Sequence, residues 1–218
     1  MKRKVSFAQE EYYHIFNRGT DKRIIFADRQ DSDRFLQSIT EFNAEQPIGS
    51  IYQNAYRKKH ALSSGVTKRE RLVRVVCYCL NQNHYHLILE QLNDAGIERF
   101  MQKLGTGFTR YFNEKYKRSG VLFQGPFKAV HIKSNEQLLH TNVYVNLNNR
   151  VHQLLNDEVV RSSFDEYVHD GYQSTYFTCD KEIILGQFNS RDDYKKFAEE
   201  TLEGILERRK NENELGLE

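Results

Sequence analysis

The chain has 218 residues, 39% of them hydrophobic, 28% charged and 12% aromatic, with a formal net charge of +2. That balance suits one ordinary domain with a real core plus a smaller extension, and it excludes a disordered chain, a repeat array and a membrane span of roughly 18 apolar residues. Three cysteines make no disulfide framework, and the basic start Lys2-Arg3-Lys4 runs into Gln9, Glu10 and Glu11 without a signal peptide's apolar stretch, so a reduced, soluble, cytoplasmic protein is expected.

Tyr12 to Arg18 is aromatic and β-branched and stops at Gly19, which predicts a strand. Asp31 to Glu45 carries Phe35, Leu36, Ile39 and Phe42 at helical spacing, behind an acidic first turn that suits the helix dipole. Residues 47–69 hold Pro47, Gly49, Ser63, Ser64 and Gly65 with the basic run Arg57-Lys58-Lys59, and read as a long connection. Leu72 to Leu80 is a nearly continuous apolar strand; Asn81-Gln82-Asn83 supplies a turn; His84 to Glu90 returns as a second strand. Ile97 to Tyr116 is helical in spacing, although Gly105 and Gly107 weaken it. Val121 to Ile132 is extended and broken at Gly125-Pro126, and Asn135 to Asn148 is helical again.

The order β-α-β-β-α-β followed by a helix predicts an α+β fold of ferredoxin-like or RRM-like type: an antiparallel sheet covered on one face by two helices. Residues 1–160 would form this domain and 161–218 an acidic, mostly helical extension. Ser190 to Asp193 reads as a capping box for a final helix over roughly 191–210, with the last residues frayed.

His84 and His86 lie two apart on a strand, so alternation puts both imidazoles on one face, where they can converge on one cation. The same spacing also fits two independent, partly buried histidines at a sheet edge. On the following helix, Tyr144 and Asn148 share a face four residues apart, and His140 extends it one turn back. Beside a metal, a tyrosine hydroxyl can act as a covalent nucleophile, and Asn148 could supply an amide oxygen as a third ligand. Tyr144 fits a core aromatic bonded to a backbone carbonyl equally well. No general base for Tyr144 is evident: His140, one turn back, is one candidate, and a metal-bound water or the metal itself could serve instead.

Taken together, Tyr13 to Gly19, Cys79 to Glu90, Phe123 to Phe127 and Tyr144 to Asn148 resemble the single-tyrosine HUH transposases, the REP-associated tyrosine transposase and insertion-sequence-200-like group. The resemblance covers about residues 11–170. It implies a metal-dependent single-stranded DNA endonuclease and strand transferase: His84, His86 and Asn148 holding Mg²⁺ or Mn²⁺, and Tyr144 attacking phosphorus to give a 5′-phosphotyrosine and a free 3′-OH. It also implies single-stranded or hairpin DNA as partner, action in transposition or on genomic palindromic repeats, and either a monomer or a homodimer. Ser162 to Tyr167 resembles a downstream element of the family. Two departures adjoin the site: Asn81-Gln82 stands where many relatives have methionine-proline, and Asn149 where many have proline.

The charge is split in a way that fits a polyanion partner: residues 1–150 hold 24 Lys and Arg against 14 Asp and Glu, and residues 151–218 hold 8 against 16. Cations for the DNA backbone and aromatics for its bases are expected from Arg18, Lys103, Arg110, Tyr111, Lys115 and Lys128, with Arg57, Lys58, Lys59 and Lys133 adding charge. Three rivals remain: a non-catalytic single-stranded nucleic-acid-binding module on the same sheet, a domesticated relative processing a fixed repeat, and a metal-dependent hydrolase using water.

Overall fold

The computed structural model describes residues 5–54, 70–154, 158–172 and 174–214, with no side-chain detail beyond 211; the basic run Arg57-Lys58-Lys59 lies outside the described residues. Strand β1 (Tyr12–Arg18) leads through a tight turn to helix α1 (Arg29–Phe42), then to β2 (Val73–Asn81) and β3 (His84–Gln91). Helix α2 (Gly96–Lys115), β4 (Lys128–Ile132), α3 (Asn135–Asn146) and the short α4 (Asn148–Val151) follow. A two-residue strand, β5 (Arg161–Ser162), precedes α5 (Phe164–Val168), α6 (Glu182–Leu185) and the long α7 (Arg191–Glu214). The expected β-α-β-β-α-β order is present. All neighbouring strands pair antiparallel in the order β4-β1-β3-β2-β5. None of the described helices is long and apolar enough to cross a membrane.

Alternation in β1 sends Tyr13 and Ile15 to one face of the sheet, where they meet Phe35, Leu36 and Ile39 of α1 and Phe100, Leu104 and Phe108 of α2. Each such side chain contributes about 1.5–3 kcal/mol on leaving water. α1 begins earlier than its periodicity suggests, because Asp28 accepts from Asp31 N at 3.0 Å while Asp31 accepts from Ala27 N at 2.8 Å. Gly107 does not break α2. A Cβ there would sit 2.4 Å from the Phe42 ring, so the glycine lets α1 and α2 approach.

The two expected helices, α1 and α2, cover one face of the sheet, as the element order predicts. A second core fills the other face, where Val76, Cys77, Cys79 and Ile88 meet Leu138, Val143 and Val145 of α3, Phe164 and Tyr167 of α5, and Tyr194 and Ala198 of α7. Helices therefore cover both faces. Ser190 caps α7, its Oγ accepting from Asp193 N at 3.1 Å.

A bulge in β2 shifts its register against β3 between Val75 and Cys77. Val73 and Val75 point to the α1/α2 side, and simple alternation would send Cys77, Cys79 and Asn81 there too. The extra residue reverses this: Val76 and Cys77 both face the second core, and Tyr78 and Leu80 take the α1/α2 side. Asn81 consequently ends β2 on the same face as His84 and His86, so it belongs to the strand and not to the predicted turn.

Candidate active site

Four histidines, three asparagines and a tyrosine gather where β1, β2 and β3 meet the junction of α3 and α4. Cross-strand pairing sets Arg18 opposite His84 and Phe16 opposite His86, all with side chains on the second face. The His86 ring packs against both Phe16 (5.6 Å between centroids) and His14 (5.1 Å), and His14 Nε2 lies 2.8 Å from His86 Nδ1. His84 Nδ1 lies 2.6 Å from Asn83 Oδ1, while its Nε2 is 2.9 Å from Asn81 Nδ2 and 3.0 Å from Asn148 Oδ1. Asn81 Nδ2 also donates to Asn148 Oδ1 at 2.7 Å. His152 stands edge-on to His84 at 5.1 Å.

Proton counting assigns the His84 tautomer. Asn83 Oδ1 only accepts, so His84 Nδ1 carries the hydrogen. In the neutral ring Nε2 is then bare, and it faces the lone pairs of Asn148 Oδ1 at 3.0 Å. Burial favours that neutral form by lowering the His84 pKa, with Arg18 adding to the effect and the Asn148 hydrogen bond opposing it. Burial also holds His86 well below its usual range, helped by His14, His84 and His152, and brings His14 down to about 4. A neutral imidazole whose bare nitrogen faces an amide oxygen, with a second neutral imidazole beside it, is the donor chemistry of a divalent-cation site. The chemistry of these residues fits such an ion, and His84, His86 and Asn148 are the groups that would face it. Among the described residues no group of three or more His, Cys, Asp and Glu is placed to hold a metal; the convergence is of two imidazoles with amides.

Tyr144 lies over this cluster, half-buried, with its ring edge-on to His86 at 5.7 Å and to His14 at 5.9 Å. Among the described residues its hydroxyl makes no hydrogen bond, unlike Tyr167, whose hydroxyl donates to Val76 O at 2.7 Å. The far side of α3 anchors it. Asn146 Nδ2 donates to the Tyr194 hydroxyl (3.0 Å), which donates to Asn142 Oδ1 (2.7 Å); Asn142 Nδ2 donates in turn to the Tyr167 hydroxyl (3.2 Å). Ser163 Oγ donates to Asn146 Oδ1 at 2.6 Å, so Ser163 and Tyr167 tie α3 to the bulged strand.

The predicted helix to Asn148 breaks at Leu147, and Asn148 opens α4 instead, without help from a proline at Asn149. Asn148 still reaches His84, and its Nδ2 is buried with no partner among the described residues. His140 packs its ring on Phe197 of α7 at 5.5 Å, and no described hydrogen bond links it to Tyr144.

The cations expected to contact DNA divide between the two faces. Arg18 and Lys128 are exposed on the histidine face; Arg18 Nε donates to Gln124, and Lys128 sits 5.9 Å from the Phe16 ring. Lys103, Arg110, Tyr111 and Lys115 belong to α2, on the opposite side of the sheet. Lys103 Nζ donates to Ala44 O at 2.6 Å, Tyr111 donates to Asp31 at 3.0 Å, and Lys115 pairs with Asp28 at 2.7 Å and Asp31 at 2.8 Å. Arg110 is exposed.

Sequence reasoning did not single out His14, Asn81 or His152 as site residues. His14 was open to it, since it shares parity with Phe16 and Arg18 in β1. Asn81 was not, because the bulge that turns it is invisible in the residue pattern.

No family model matches the chain, and no curated protein matches it. Among solved structures, one that matches is a REP-associated tyrosine transposase bound to a REP hairpin. It superposes with a TM-score of 0.53 at 12% identity, over 83% of this chain and 93% of that one. The chain has the fold of a REP-associated tyrosine transposase. At 12% identity the likeness establishes the architecture, an α+β fold built on an antiparallel sheet, and the chemistry has to be argued from the side chains.

Proposed function

We propose that the protein is a metal-dependent, single-tyrosine strand transferase acting on single-stranded or hairpin DNA. The observation that carries the reading is Tyr144, its ring edge-on to His86 beside the convergent His84 and Asn148 and its hydroxyl free of hydrogen bonds among the described residues. The solved transposase with this fold is bound to a DNA hairpin, which supports the choice of substrate class.

Arg18 and Lys128 would position the DNA backbone over the histidine face. The Tyr144 oxygen would then attack phosphorus, forming a tyrosyl–phosphate bond as the P–O3′ bond breaks; the phenol proton passes to solvent and the leaving oxygen takes up a proton to become the 3′-OH. His84, His86 and Asn148 would hold the cation, which when bound supplies Lewis-acid polarisation of the phosphodiester and offsets developing charge. The phosphotyrosine keeps the bond's energy, so a 3′-OH can reverse the step without ATP.

The test incubates labelled single-stranded DNA from the gene's flanks, palindromes included, with Mn²⁺ or EDTA and with wild type or Tyr144→Phe. A denaturant-resistant protein–DNA band that requires Mn²⁺ and disappears in Tyr144→Phe is expected. The variant should keep wild-type stability to within about 0.5 kcal/mol, because the lost hydroxyl has no described partner. Cleavage that leaves no band and survives Tyr144→Phe would replace this reading with a hydrolase.

A further inference from the structure

Three atoms at the floor of the site form a nearly equilateral triangle. Asn81 Nδ2 is 2.9 Å from His84 Nε2 and 2.7 Å from Asn148 Oδ1, and those two are 3.0 Å apart. Neighbouring ligand atoms around an octahedral cation with bonds near 2.1 Å are about 3.0 Å apart, so the triangle has the size of one face of such a coordination shell. Two of its corners are atoms of the proposed ligands. The third belongs to Asn81, a side chain with no exposure to solvent.

We propose that Asn81 is a further ligand of the divalent cation, its amide presenting Oδ1 at the corner where Nδ2 lies in this structure. The inference rests on the metal-dependent reading of the site. As placed, the amide hydrogens satisfy the facing lone pairs of His84 and Asn148. A bound cation would take up those lone pairs, and the NH₂ group would lose its acceptors. A half-turn then exchanges NH₂ for a carbonyl oxygen of nearly the same shape, so the buried pocket need not expand. The turn is not blocked on the other side: Cys79 Sγ lies 3.7 Å from Asn81 Oδ1 and can face the NH₂ group as a weak acceptor. The resulting set of two imidazoles and two amide oxygens suits Mg²⁺ or Mn²⁺, which favour oxygen ligands. The feature depends on the β2 bulge, since a regular strand would point Asn81 into the opposite core.

The experiment titrates the full chain with Mn²⁺ alone, without DNA, following the loss of the free-ion electron paramagnetic resonance signal. Wild type, His84→Ala, Asn81→Leu and Asn81→Asp are compared, with urea midpoints as the folding control. Binding should be abolished in His84→Ala. It should weaken roughly tenfold or more in Asn81→Leu, which has neither donor nor oxygen, and tighten roughly tenfold in the near-isosteric Asn81→Asp, which places a carboxylate at the corner. If His84→Ala abolishes binding while Asn81→Leu binds as well as wild type or better, Asn81 is only a hydrogen-bond donor to His84 and Asn148 and the proposal is overturned. If Asn81→Leu does not fold, Asn81→Asp decides alone: tighter binding supports the proposal, unchanged or weaker binding overturns it. Wild-type binding that His84→Ala does not alter defeats the metal-dependent reading itself.

Discussion

His14 Nε2 lies 2.8 Å from His86 Nδ1, and only one of the two nitrogens can carry a proton. If His86 donates, its Nε2 is bare and able to ligate; if His14 donates, His86 Nε2 is protonated and cannot. His14 in the accepting role therefore holds the cation-competent tautomer of His86. Replacing it by His14→Leu removes the acceptor and should weaken Mn²⁺ binding by about 10–100-fold, with covalent adduct formation falling in parallel. His14→Gln, which restores an acceptor oxygen, should recover part of the loss. Equal Mn²⁺ affinity in wild type and His14→Leu would remove His14 from this role.

Half-buried His14 and buried His86 also make stability depend on pH. Above pH 6.5 His14 is neutral in both the folded and the unfolded chain. As pH falls, the unfolded chain takes up a proton near 6.5, whereas folded His14 does so only near 4. The unfolded state then binds more protons, so stability falls between pH 6.5 and 4, by up to about 1.4 kcal/mol per pH unit from this residue. His86, also lowered by burial, acts in the same direction. Urea midpoints measured in EDTA at pH 7.5, 5.5 and 4.5 should decline, and His14→Leu should decline less. Parallel profiles for the two proteins would count against the assignment.

The two faces of the sheet should separate in DNA binding. Arg18→Ala and Lys128→Ala should each weaken single-stranded DNA binding and reduce the salt dependence by about one phosphate contact. Arg110→Ala should leave both unchanged. Lys115→Ala should act on folding instead, costing about 1–3 kcal/mol by leaving buried Asp31 without its cation. Fluorescence anisotropy across a salt series reads the first set, and urea unfolding the last.

The C-terminal helix α7 should be needed to hold the nucleophile. Tyr194→Phe deletes the hydroxyl that links Asn146 Nδ2 to Asn142 Oδ1, leaving these two buried groups with only their long mutual hydrogen bond of 3.4 Å. A loss of about 1–3 kcal/mol is expected. Removing residues 174–218 strips Tyr194 and Ala198 from the second core, and the shortened chain should lose cooperative unfolding. A truncated protein with the wild-type urea midpoint would show that α7 is dispensable.

The strand–helix order, the hairpin and the inward faces of β1, α1 and α2 were legible in the residue pattern, because each depends on local periodicity and on turn residues a few positions apart. His84 with His86, and Tyr144 with Asn148, were legible as same-face pairs for the same reason. What covers the second face of the sheet was not: the packing of Tyr167 and Tyr194 on α3 joins residues 25 to 52 positions apart, and nothing local encodes it. The expected DNA contacts divided because charge and aromaticity tell which residues can meet a phosphate, but not which side of a sheet their helix occupies. Asn81 is the sharpest case. Its residue type said turn, whereas one extra residue five positions earlier in β2 rotated it into the site. The sequence by itself determined the order of elements and the pairing of chemical groups within each; only the tertiary structure decided the faces, since register, bulges and layer packing depend on contacts between distant segments.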